Sequence, residues 1–104
     1  MNKALRVVVV GSGGRLGGAV VRHLQATPER FQVVAYDHKA MDLLHPAQIE
    51  DHLSAIHFEA LINCAAMTSL EGCLDQPKRA IQINAIAPRQ MAELCDQRGA
   101  RMIR

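Results

Sequence analysis

The chain has no tryptophan and only three aromatic residues, Phe31, Tyr36 and Phe58. So few rings cannot build a base-stacking platform, and no basic tract accompanies them, so nucleic-acid binding is not expected. Cysteine is scarce: Cys64, Cys73 and Cys95 are odd in number and contain no Cys-x-x-Cys pair. That excludes a disulfide framework and suits a reducing compartment, so the expected location is cytoplasmic. The five histidines show no His-Glu-x-x-His or Cys/His ligand spacing, so no metal site is expected. No apolar run approaches the roughly 20 residues that cross a bilayer. The first residues lead into a strand and not into a secretory signal, so no membrane partner is expected. Neither charge sign dominates, with a formal net charge of +2, and 104 residues suit one domain over 1–104.

What the chain does have is glycine in one place. Residues 7–17 read Val-Val-Val-Val-Gly-Ser-Gly-Gly-Arg-Leu-Gly. An apolar strand, Leu5–Val10, runs into a glycine turn, and an amphipathic helix from Arg15 to Ala26 follows. Gly11 permits the sharp turn off the strand, Gly14 lets backbone approach a ligand, and Gly17 lets the helix pack on the strand. Free N–H groups and the positive dipole end at the helix start suit a diphosphate. A phosphate loop of the NTPase kind needs Gly-Lys-Ser/Thr, and Gly14-Arg15-Leu16 stands there instead. A tight turn without a ligand is the competing interpretation.

The remaining elements alternate. Phe31–Tyr36 is a second strand and Asp42–Leu44 a brief third. A helix runs from Pro46 to Ile56 with Ile49, Leu53 and Ile56 inward. Ala60–Cys64 is the next strand, 67–76 a loop, with or without a turn of helix, and Pro77–Arg98 the longest helix. Ile81, Ala85, Ala92 and Cys95 form its apolar face, and Pro88 should kink it or leave an irregular turn. Gly99 stops it, and Arg101–Ile103 opens a fifth strand. The order predicts an α/β doubly wound parallel sheet, Rossmann-like, ending after about the fifth strand, with ligand bound at the carboxyl ends of the strands.

Asp37 lies 20 residues after Gly17, at the end of the second strand. An acid there accepts hydrogen bonds from an adenosine ribose and repels a 2′-phosphate, which favours NAD(H). His38, Lys39 and Arg15 are cations that accommodate a 2′-phosphate, which leaves NADP(H) open. Asp42 and Leu43 suit the adenine amine and ring, or are a loop acid beside a core leucine. Asn63-Cys64-Ala65-Ala66 are small residues that leave room for the middle of a dinucleotide. Thr68 is within reach of the second ribose, or is an ordinary loop hydroxyl. Asn84 sits on a mostly apolar helix face and needs a partner.

The glycine turn, Tyr36-Asp37-His38 through Asp42-Leu43, Leu61–Thr68 and Ile83-Asn84-Ala85 recur in that order in one family. The chain resembles the N-terminal part of the dTDP-4-dehydrorhamnose reductases, within the extended short-chain dehydrogenases/reductases. The resemblance covers essentially all 104 residues. It implies hydride transfer from NAD(P)H to a 4-keto sugar nucleotide in dTDP-rhamnose synthesis. By the same resemblance, Gly11, Gly14 and Gly17, with Arg15 and Leu16 in the turn, hold the diphosphate. Asp37 and His38 stand at the ribose, Asp42 and Leu43 flank adenine, Cys64, Ala65, Ala66 and Thr68 line the channel, and Asn84 is structural.

The chain departs from the family where Met67 replaces the usual Tyr and Leu70-Glu71 replaces Val-Asp. Leu74, followed by Asp75, replaces a further acid. The family's proton donor belongs to a Tyr-x-x-x-Lys pair, and Tyr36 has no such lysine. No catalytic residue is therefore assigned, and the chain is expected to bind the small dinucleotide without catalysis, with self-association through an exposed sheet edge. The alternatives are a non-catalytic dinucleotide-binding or regulatory subunit of the same fold and a fragment of a sugar-nucleotide epimerase.

Overall fold

The computed structural model describes residues 3–104. The purely apolar stretch Val7–Val10 is buried on both sides and forms strand β1, Leu5–Val10. β2, Phe31–Tyr36, pairs with it in parallel, with Val7 opposite Val33 and Val10 opposite Tyr36. β3, Ala60–Asn63, pairs on the other side, with Val10 opposite Asn63, and β4, Arg101–Ile103, adds beyond it. The order β2-β1-β3-β4 places the glycine turn at the centre, where the crossovers change direction.

Helices α1 (Arg15–Gln25), α2 (Pro46–Ser54), α3 (Leu70–Asp75), α4 (Pro77–Ile81) and α5 (Ala87–Arg98) make the connections. Side chains alternate across a strand, so Val8 and Val10 face one layer and Val7 and Val9 the other. Val8, Val10 and Leu61 pack with Ile49 and Leu53 of α2, Met91 and Leu94 of α5, and Met41, Leu43 and Phe58 from the loops. α1 covers β1 and β2 on the opposite face. Helices on both faces of a parallel sheet are the doubly wound arrangement predicted from the element order.

Four expectations need correction. The brief strand Asp42–Leu44 does not form, so the sheet has four strands among the described residues. Its backbone is committed locally: the Asp42 carboxylate accepts from Leu44 N–H at 2.9 Å, and His45 N–H donates to the Asp42 carbonyl at 3.0 Å. Such an Asx turn competes with sheet pairing. The loop at 67–76 contains a true helix, α3, capped by the Ser69 hydroxyl accepting from Gly72 N–H. Leu16, which its i, i+4, i+8 spacing with Val20 and Leu24 puts on the inner stripe of α1, is 65% exposed.

The long helix Pro77–Arg98 is interrupted by a π-turn, Gln82–Ile86, in which Ala87 N–H reaches back to the Gln82 carbonyl. Pro88 has no N–H and its ring would collide with a carbonyl four residues back, so the chain widens by one residue just ahead of it. The extra residue breaks the phase of the apolar stripe. Ile81 and Ala85 are consequently exposed, Cys95 is buried as expected, and Ala80, Ala87, Pro88, Met91 and Leu94 are buried with it. Leu53, fully buried between α2 and the sheet, tests this core: Leu53→Ala should lower the free energy of unfolding by about 2–5 kcal/mol, read from urea titrations. A cost below about 1 kcal/mol would contradict the packing.

Candidate functional site

The site starts where β1 ends. Gly11 adopts φ +82°, and a Cβ on it would stand 2.7 Å from the Ala65 backbone nitrogen. Its N–H and that of Ser12 both donate to the Tyr36 carbonyl, at 2.9 and 3.2 Å, so the turn is tied to the end of β2. A Cβ on Gly17 would overlap the Gly11 carbonyl oxygen, so α1 leaves β1 with its first turn pressed against the strand end. Gly14 differs. A Cβ there meets only the Gly11 oxygen at 3.7 Å, an ordinary contact. Protein packing therefore gives no reason for glycine at 14.

Gly14 is also the N-cap of α1, and it supplies no side-chain acceptor. The first-turn N–H groups of Arg15, Leu16 and Gly17 therefore point out of the helix start with no side-chain cap and no acid in that turn. This 11-residue helix presents the positive end of its dipole there.

A cleft of about 260 Å³ lies in front of the turn. It brings together nine of the residues singled out from sequence: Gly11, Gly14, Asp37, His38, Asp42, Leu43, Cys64, Ala65 and Ala66. Arg15, Leu16 and Gly17 do not line it and stand beside it at the start of α1. Thr68 is exposed, beyond Ala66, and does not line it either. The structure adds Val10, Met41, Arg79 and Ile83. Met41 lies in the turn that replaces the expected strand. Arg79 and Ile83 share one face across the start of the π-turn. Their spacing of four puts them on one helix face, but no sequence pattern says that this face meets the loop after β2.

Asp37 holds its own loop. Its Oδ1 accepts from Ala40 N–H at 2.8 Å and Lys39 N–H at 3.0 Å. The Ala40 bond, then the Lys39 bond and the nearby His38 and Lys39 charges, hold the carboxyl below its ordinary range against a smaller desolvation effect. Oδ2 is left for a ligand. Asp42 is also engaged: Oδ1 accepts from Leu44, and Oδ2 lies 3.5 Å from His45 Nε2. Burial pushes the Cys64 thiol up, so it lines the cleft as a small neutral group.

Two amides brace the walls. Gln82 Nε2 donates to the Leu43 carbonyl at 3.0 Å, fixing the loop after β2. Asn84 Oδ1 accepts from Met67 N–H at 2.8 Å, and its Nδ2 donates to the Met67 carbonyl at 2.9 Å, fixing the loop after β3. Both amides belong to the π-turn. The partner that Asn84 needed is thus a loop backbone.

A cleft at the strand ends, rimmed by a bare helix N-terminus and an acid on β2, is the form of a dinucleotide site. Residues 5–104 match the family model described as RmlD substrate binding domain. The chain belongs to that family. A dTDP-4-dehydrorhamnose reductase of Mycobacterium tuberculosis is 34% identical over 98 residues, covering 94% of this chain and 31% of that protein. The solved dTDP-4-dehydrorhamnose reductase of Bacillus anthracis, in complex with NADP, superposes with a TM-score of 0.89 at 27% identity, over 98% of this chain and 36% of that one. A heptose epimerase from Helicobacter pylori shares the fold at a TM-score of 0.81 and 19% identity, over 96% of this chain and 38% of that one. The chain thus spans about a third of the length of the relatives it matches. Among the described residues no helix is long and apolar enough to cross a membrane, and no cluster of three metal-ligating side chains occurs.

The Asp37 carboxyl gives a pH prediction. Its folded pKa lies below its unfolded one, so its contribution to stability is present above about pH 5 and fades as pH falls through the folded value. Asp37→Asn keeps the two backbone bonds and removes the charge. Urea midpoints of the two proteins should therefore differ slightly at pH 7 and converge in acid. A gap that widens in acid would show the charge to be unfavourable.

Proposed function

We propose that this chain is the NAD(P)-binding part of a sugar-nucleotide reductase. When bound, the cofactor supplies a hydride, here for the 4-keto group of a sugar nucleotide of the dTDP-4-dehydrorhamnose kind. The observation that carries this reading is Gly14. It lines the cleft, it has no packing partner that demands glycine, and it stands beside free first-turn N–H groups. A ligand backbone that must come close explains it, and a diphosphate is the anion that such a helix end suits. In this reading Arg15, Leu16 and Gly17 contribute backbone N–H groups and Asp37 contributes Oδ2 to a ribose. Ala65 and Ala66 keep the channel open.

The NAD(H) preference drawn from Asp37 is not retained. One carboxylate oxygen is committed to the turn, His38 and Lys39 flank it, and the Bacillus anthracis relative is an NADP complex. NADP(H) is the better supported cofactor. The chemical step needs a proton donor for the developing alkoxide. Tyr36 is the only tyrosine, and its ring packs against His52 with centroids 5.2 Å apart, away from the cleft lining. Burial raises its phenol further. This supports a chain that holds cofactor without reducing the sugar, and the non-catalytic dinucleotide-binding subunit is the second reading for the same reason. Three free cysteines suit a reducing, cytoplasmic setting.

Titration with NADPH, followed by nicotinamide fluorescence, tests the cofactor claim. Saturable binding is expected, and silence up to millimolar cofactor would refute it. Gly14→Ala should fold normally and weaken binding about tenfold, whereas Gly17→Ala should fail to fold stably. Self-association is proposed through the open outer edge of β4, where unpaired backbone groups and Ile103, 46% exposed, face a second copy. Gel filtration should show a concentration-dependent dimer, and a monomer at all concentrations would dismiss the edge contact.

A further inference from the structure

We infer that Arg79 is a binding residue for the adenine base, covering its face with the guanidinium plane. The inference rests on the dinucleotide reading and adds a specific contact to it. Arg79 lines the cleft four residues before Ile83, so the two share a helix face. The wall they meet is the Met41–Leu43 turn, locked to the same helical segment by the bond from Gln82 to the Leu43 carbonyl. Met41, Leu43 and Ile83 supply an apolar floor for a flat ring.

No Phe, Tyr or Trp lines the cleft, and its one ring, the His38 imidazole, stands next to Asp37, which the dinucleotide reading places at the ribose, so a base resting on that floor has no aromatic partner for its other face. Arg79 is the long planar side chain available there. Among the described residues it forms no ion pair and no side-chain hydrogen bond, and it is exposed. A weakly hydrated, planar guanidinium stacks flat on heteroaromatic rings, as a compact, strongly hydrated ammonium cannot. Asp42, the acid that shares the lining with it, is already engaged by Leu44 and His45, so Arg79 stays unpaired and available for a ligand.

The test compares the unaltered chain with Arg79→Met and Arg79→Lys, titrated with NADPH and with NADH by fluorescence. Arg79 is exposed, so melting temperatures should stay level across the three. Stacking on adenine predicts that Arg79→Met weakens both cofactors by the same factor, roughly three- to tenfold. It predicts that Arg79→Lys recovers little, because the charge returns without the plane. A loss confined to NADPH would overturn the proposal and make Arg79 a 2′-phosphate contact. Full recovery with lysine would overturn it in favour of a charge contact to the diphosphate, and no loss at all would remove Arg79 from the site. Failure of the unaltered chain to bind either cofactor would instead bring down the dinucleotide reading, and this contact with it.

Discussion

The close approach of α1 to the end of β1 is the constraint on which the rest depends. Gly11 turns with a positive φ, and the first turn of α1 rests on its carbonyl through the bare Cα of Gly17. That contact directs the helix axis at the space before the central strands. It also places unpartnered N–H groups there, because the N-cap is a glycine and not a serine or aspartate. A helix that started a few ångströms further out would leave the same groups in bulk water. The burial of β1 on both faces serves this contact, since a rigid central strand is what the turn pushes against.

The second organising feature is the π-turn ahead of Pro88. Proline inside a long helix is a fault if the helix is to be regular, and the chain resolves it by widening one turn. The widened turn carries Gln82 and Asn84, which hold the two loops that wall the cleft. Backbone irregularity and site architecture coincide here, as they often do for such bulges. The loop after β2 is also anchored by Met41 and Leu43 in the core, whereas the loop after β3 has no fully buried side chain and depends on Asn84.

Legibility follows the range of the interactions. The glycine spacing, the strand β1 and the acid at the end of β2 are visible because each depends on neighbours within a few residues. Asp42–Leu44 misled because three apolar-flanked residues look like a short strand, while the Asx turn of Asp42 outweighs that tendency. Ile81 and Ala85 misled because helical periodicity assumes an unbroken helix. Arg79 was not singled out because its place in the lining depends on how the helix packs against the distant loop after β2. Thr68 stays outside the cleft lining because its loop is drawn by Asn84 through Met67, a contact across 17 residues.

By itself, the sequence determined the parallel sheet, the location of the turn and the kind of ligand that turn suits. These come from local sterics: where a Cβ fits, where an N–H is free, which strands are apolar on both faces. Only the tertiary structure decided which side chains line the cleft, which amides hold its walls, and where the long helix widens. Those outcomes depend on contacts between segments far apart in the chain. The spacing assigns Gly11 to the turn, Gly17 to helix packing and Gly14 to a ligand, and the fold supplies the atoms that would collide with a Cβ at 11 and 17 while leaving position 14 with no neighbour closer than 3.7 Å.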